Sequence, residues 1–142
     1  MKKTIIIEII SGLLAILFVY ASLSKLLNYT TFRLQVSASP VIGQFAAIAW
    51  TLPVIEIIIT VLLTINATRK YGLYASAFLL ILFTGYIVCM LAFVKHLPCS
   101  CGGVLNKLSW KQHVLFNIFF LLVCLSGIVI ERKRKYQSYE YH

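Results

Sequence analysis

The sequence predicts an all-α membrane protein: a four-transmembrane-helix bundle with both termini cytoplasmic and a short interfacial helix between the first two spans. Three observations carry this prediction. Of the 142 residues, 61% are hydrophobic and only 12% charged, with a mean hydropathy of +0.91, so lipid must be the solvent for most of the chain. The apolar residues are gathered into four runs, each near the roughly 20 residues a helix needs to cross the hydrocarbon core. None of the runs alternates with period two, and lipid tolerates no open sheet edge, so the spans are helices rather than barrel strands.

The first run covers residues 4–23 and follows Lys2 and Lys3. It is longer than a signal h-region and no clean small-x-small cleavage site follows it, so it reads as a retained helix. The connection 26–44 is too long for a tight turn. Its Tyr29, Phe32 and Val36 recur at near-helical spacing among polar residues, which predicts the interfacial helix. The second run covers 45–65, interrupted only by Pro53 and Glu56. The third covers 71–94. The fourth covers 109–130 and opens on Ser109-Trp110-Lys111-Gln112, a capping-box pattern in which Ser109 and Gln112 can satisfy orphan N–H groups. The tail 136–142 reads as a frayed end. All four spans belong to one domain, 1–142, whose short connections leave any chemistry to the bundle or its rim.

The formal net charge is +9. In a soluble protein that excess would suggest nucleic acid, but here the charges flank the spans, so nucleic acid is excluded as a partner and the charges report topology. Lys2, Lys3, Arg69, Lys70, Arg132, Lys133, Arg134 and Lys135 fall on one side, against Lys25, Arg33, Lys95, Lys107 and Lys111 on the other. The positive-inside rule places the richer side, with both termini, in the cytoplasm. The expected location is therefore a bacterial inner membrane crossed several times, with the turn between the third and fourth spans on the periplasmic or exterior side.

That turn is Pro98-Cys99-Ser100-Cys101-Gly102-Gly103. Two cysteines one residue apart approach the upper limit of Cα separation that a disulfide accepts, so closing the ring demands a tight turn, for which the glycines supply positive φ. A bond strained in this way is expected to be oxidising and to exchange readily. Lys95, His96, Lys107 and Lys111 supply an electropositive setting that favours thiolate, the reactive form. Three readings stay open: a redox-active pair, a structural bridge, and a thiophilic metal site completed by His96 and His113. One cysteine pair lacks the second ligand pair of a zinc motif, so no metal site is assigned.

Below the turn, His113, Asn117 and Cys124 share one face of the fourth helix. Cys89 is expected about 9 Å below the outer end of the third helix, in a layer with His113, as a candidate resolving thiol. Glu56 is expected near the middle of the bilayer, as a proton relay, as a contact for a quinone, or simply as a tie between helices.

Ser24-Lys25-Leu26, Pro53-x-x-Glu56, Pro98-Cys99-Ser100-Cys101-Gly102-Gly103, Ser109-Trp110 and the segment from His113 to Asn117 together resemble the MauE family of methylamine-utilisation membrane proteins, related to the wider DoxX-like group. The resemblance covers nearly the whole chain, and the Cys-x-Cys-Gly segment is its most specific part. It implies a redox-associated role in disulfide formation or maturation of an exported thiol or disulfide-containing protein, as attributed to MauE for a disulfide-rich subunit of methylamine dehydrogenase. Thiol-disulfide exchange at Cys99 and Cys101, supported by His113, Asn117, Glu56 and Cys89, is the leading expectation, with a quinone as candidate cofactor. The alternatives are a membrane scaffold with a structural bridge and a metal- or solute-binding bundle.

Overall fold

A computed structural model describes residues 2–40, 42–93 and 110–141, and every regular element among them is helical. Helix α1 spans Lys2–Leu27 and α2 spans Tyr29–Ala38; a 3₁₀ turn, Gly43–Ile48, leads into α3, Thr51–Thr64; α4 spans Arg69–Phe93 and α5 spans Trp110–Glu140. Helix α1 packs on α3 and α5, and α4 packs on α5 and α3, which closes a ring of four.

Named contacts set the directions. Lys3 near the start of α1 donates to Gln137 near the end of α5 at 2.9 Å. Lys25 near the end of α1 meets Glu56 near the start of α3, and Cys124 of α5 donates to the carbonyl of Leu73, near the start of α4. The bundle therefore runs up, down, up, down, and both termini lie at the same end as Arg69 and Lys70.

The inward stripe of α1 is Ile7, Ile10, Ser11, Leu14, Ala15, Phe18, Ser22 and Lys25, the three- and four-residue spacing of one helical face. Ile10, Leu14 and Phe18 join Ile59 and Leu63 of α3, Leu73 and Leu80 of α4, and Cys124 and Ile128 of α5 in one core. The opposite faces are also apolar: Ile5, Ile9, Leu13 and Ile16 on α1, Phe78 and Leu82 on α4, Leu115 and Phe119 on α5 are all exposed. Lipid solvates such a surface and water does not, which identifies the protein as integral to a membrane.

Helices associate in lipid by close backbone approach at small residues. A Cβ built on Gly72 would lie 2.8 Å from the backbone nitrogen of Leu63, and one on Gly127 would lie 2.9 Å from the Ile10 side chain. Glycine at these positions lets α4 reach α3 and α5 reach α1.

Two elements differ from the sequence-based expectation. The second span does not run as one helix over 45–65: α3 is 14 residues long, about 21 Å against a hydrocarbon core of about 30 Å. Among the described residues three helices, α1, α4 and α5, are long and apolar enough to cross a membrane. Pro53 explains the break. Its missing N–H would have bonded the carbonyl of Ala49, so proline starts an α-helix in its first turn rather than continuing one; the Leu52 N–H instead reaches Ala49 in a tighter bond of 3.3 Å.

The tail also departs from expectation, because α5 continues to Glu140 where a frayed end was predicted. Residues 131–140 contain no glycine or proline, and the first five, Glu131 to Lys135, are all glutamate, arginine or lysine, which favour helix. Glu131 and Arg134, three residues apart, pair at 2.9 Å along it.

The short helix after α1 forms as the pattern predicts. Phe32 and Val36 of α2 are buried against Ala49. Ser109 lies outside the described residues, and so does the capping box that begins on it.

Candidate functional site

The polar interior lies at the end of the bundle away from the termini, where α1 and α4 end and α3 and α5 begin. Its centre is an ion pair: Lys25 Nζ donates to Glu56 Oε1 at 2.8 Å, with the two side chains 9% and 1% exposed. A second bond from Lys25 reaches the carbonyl of Ala21 at 3.4 Å, and the ammonium stands 5.6 Å from the centre of the Phe83 ring, within cation–π range. Each partner sits where its helix sends it. Lys25 is the last member of the inward stripe of α1, and Glu56 lies on the buried face of α3 with Pro53, Ile59 and Leu63.

Burying two charges is costly, and their attraction compensates only when the remaining donors and acceptors are satisfied. Here they are not all satisfied: Glu56 Oε2 is buried and has no hydrogen-bond partner among the described residues. The site thus holds a fixed cation, a fixed carboxylate and one unused acceptor. Because α3 begins at Thr51, Glu56 is in its second turn, about 7 Å from the helix start and nearer the bundle end than a span over 45–65 would put it.

His113, in the first turn of α5, is half-buried and lies within electrostatic reach of the Lys25 ammonium. One turn deeper, Asn117 is buried, and its Nδ2 has no hydrogen-bond partner among the described residues. On the adjoining α4, Tyr86 donates its hydroxyl to Ser39 at 3.0 Å, tying the chain after α2 to the same end of the bundle. An unused acceptor, an unused donor and a buried ammonium are groups that can hold a carbonyl or hydroxyl ligand or pass a proton.

The cysteines separate into three situations. Cys99 and Cys101, with His96 and Pro98, lie outside the described residues, in the sequence that links the end of α4 to the start of α5. Cys89 is exposed, on the outer face of α4 with Val88 and Phe93. Cys124 is buried and donates to Leu73 in the opposite half of the bundle at 3.1 Å. Among the described residues no three His, Cys, Asp or Glu side chains gather as a metal site.

Lys25 is the member of this ion pair that the sequence does not single out as a site residue, because it stands at the end of an apolar run and reads as a flanking charge. The signal was present: Leu14, Phe18, Ser22 and Lys25 continue one helical face, so the lysine faces the bundle.

A family model described as methylamine utilisation protein MauE matches residues 3–130. The chain belongs to that membrane protein family. No curated protein and no solved structure matches it.

Proposed function

We propose that this MauE-family protein is a thiol-disulfide redox protein of the bacterial inner membrane, in which Cys99 and Cys101 exchange with an exported partner on the periplasmic or exterior side. In the forward direction a partner dithiol becomes a disulfide while the Cys99–Cys101 disulfide becomes a dithiol, so two electrons and two protons pass to this chain. Regeneration needs an acceptor of two electrons and two protons, and a quinone is the chemical class that supplies this within a membrane. Glu56 Oε2 and Asn117 Nδ2, both buried without a hydrogen-bond partner among the described residues, would bind the polar head of such a molecule. Lys25 is the adjacent proton donor, and His113 lies between this interior and the helix end that leads to the cysteines.

The observation that carries the reading is the buried Lys25–Glu56 pair with unused hydrogen-bonding capacity beside it. A pair serving only to join helices gains nothing from leaving a buried carboxylate oxygen bare. A second reading, a membrane scaffold, is favoured by the same pair to the extent that it ties α1 to α3, and in that reading the cysteines form a permanent bridge.

The test is oxidation of exported thiol proteins in cells carrying Cys99→Ser or Cys101→Ser. Each variant is expected to lose partner oxidation, and one of them to accumulate a mixed disulfide that the wild type resolves. Unchanged partner oxidation in both would sink the redox reading.

A further inference from the structure

At the opposite end of the bundle, a half-open pocket of about 350 Å³ lies between the start of α4 and the end of α5. No step of the proposed redox chemistry uses it. Its rim carries Lys70, Arg132 and Lys135 with Tyr136 and Tyr139, and its floor is Leu73, Tyr74 and Ile128. Three cations ring a cavity whose base is apolar, at the N-terminal turn of α4, where the helix dipole is positive.

Glu131 also lines the pocket. It is 2% exposed; Arg134 holds its Oε1 at 2.9 Å, and its Oε2 is buried without a hydrogen-bond partner among the described residues. The neighbouring arginine balances its charge, so the cavity keeps the positive field of Lys70, Arg132 and Lys135.

We propose that this pocket binds the headgroup of an anionic phospholipid, phosphatidylglycerol being the simplest. The phosphate lies among Lys70, Arg132 and Lys135, and the acyl chains leave over the exposed Tyr74. Basic pockets between transmembrane helices at their charged end suit such headgroups. Free phosphate shares the anionic chemistry but has no use for the apolar floor, which favours the lipid.

The full-length protein, purified with equal amounts of phosphatidylglycerol and phosphatidylcholine, is examined by native mass spectrometry for retained lipid. The wild type is expected to retain phosphatidylglycerol selectively. K70A/K135A should lower that retention about tenfold, while K3A/K133A, which removes the same charge from the neighbouring surface around Gln137 and Glu140, should change it less than about twofold. Equal loss in both double variants would reduce the effect to diffuse surface charge and overturn the site. Displacement of the lipid by inorganic phosphate would overturn the lipid assignment, and so would equal retention of the two lipids by wild type, a result that depends on no variant folding.

Discussion

The two ends of this bundle pair buried charge differently: the Lys25–Glu56 pair joins two helices, whereas Glu131, also buried, pairs with Arg134 three residues along its own helix. At the end holding the termini, Lys2, Lys3, Arg132, Lys133 and Lys135 stand at the surface, where an ammonium or guanidinium keeps its water and costs the fold little. At the other end, Lys25 and Glu56 are taken out of solvent and matched to each other. The first arrangement orients a protein in a membrane and attracts anionic headgroups. The second is expensive and local. The same residue types therefore do different work according to the helical face they occupy.

The sharpest way to break this comparison is to unpair the buried charges. Lys25→Ala or Glu56→Ala leaves its partner buried and uncompensated, which is expected to cost about 3–5 kcal/mol and to show as loss of folded protein on thermal melting in detergent. The double variant Lys25→Met/Glu56→Leu removes both charges at similar volume and should recover most of that stability while failing to oxidise the partner. Recovery of both stability and partner oxidation would reduce the pair to a helix tie. Lys2→Ala and Lys133→Ala, at the other end, should each change stability by less than about 0.5 kcal/mol.

A smaller effect separates the bundle interior from its lipid face. Gly72→Ala drives a methyl group into the backbone of α3 and should destabilise by about 1–3 kcal/mol. Gly12→Ala meets nothing within 4 Å and should be neutral or stabilising by up to about 1 kcal/mol, from helix propensity alone. Similar melting shifts for the two would contradict the close approach of α4 to α3.

The smallest expected effect is at Cys89. Exposed on α4, it should tolerate Cys89→Ser with a stability change under about 0.5 kcal/mol. The same variant decides whether Cys89 is a resolving thiol: unimpaired partner oxidation leaves the redox work to Cys99 and Cys101, and a loss brings Cys89 into the relay.

The helical membrane architecture was legible because it follows from composition and run length, and the short helix α2 because Phe32 and Val36 fall on one face. The length of α3 was not read correctly, because an apolar run does not show where a proline starts a helix. The extension of α5 was missed because its polar, basic sequence looks like a tail, although its residues are good helix formers. In the candidate site, Asn117 and Glu56 are legible as buried polar candidates because polar residues stand out in apolar spans. Lys25 was missed because a lysine at the end of a span usually marks the membrane edge, and only the stripe through Leu14, Phe18 and Ser22 reveals that it turns inward.

The most direct test is a redox titration of Cys99 and Cys101 in intact cells, read by a thiol label that does not cross the membrane. The expected result is a pair labelled from outside, only after reduction, that equilibrates with potentials between about −120 and −270 mV, the range of exchanging dithiols. A pair reached only after lysis would contradict the topology, and one that stays oxidised to below about −300 mV would contradict the redox function.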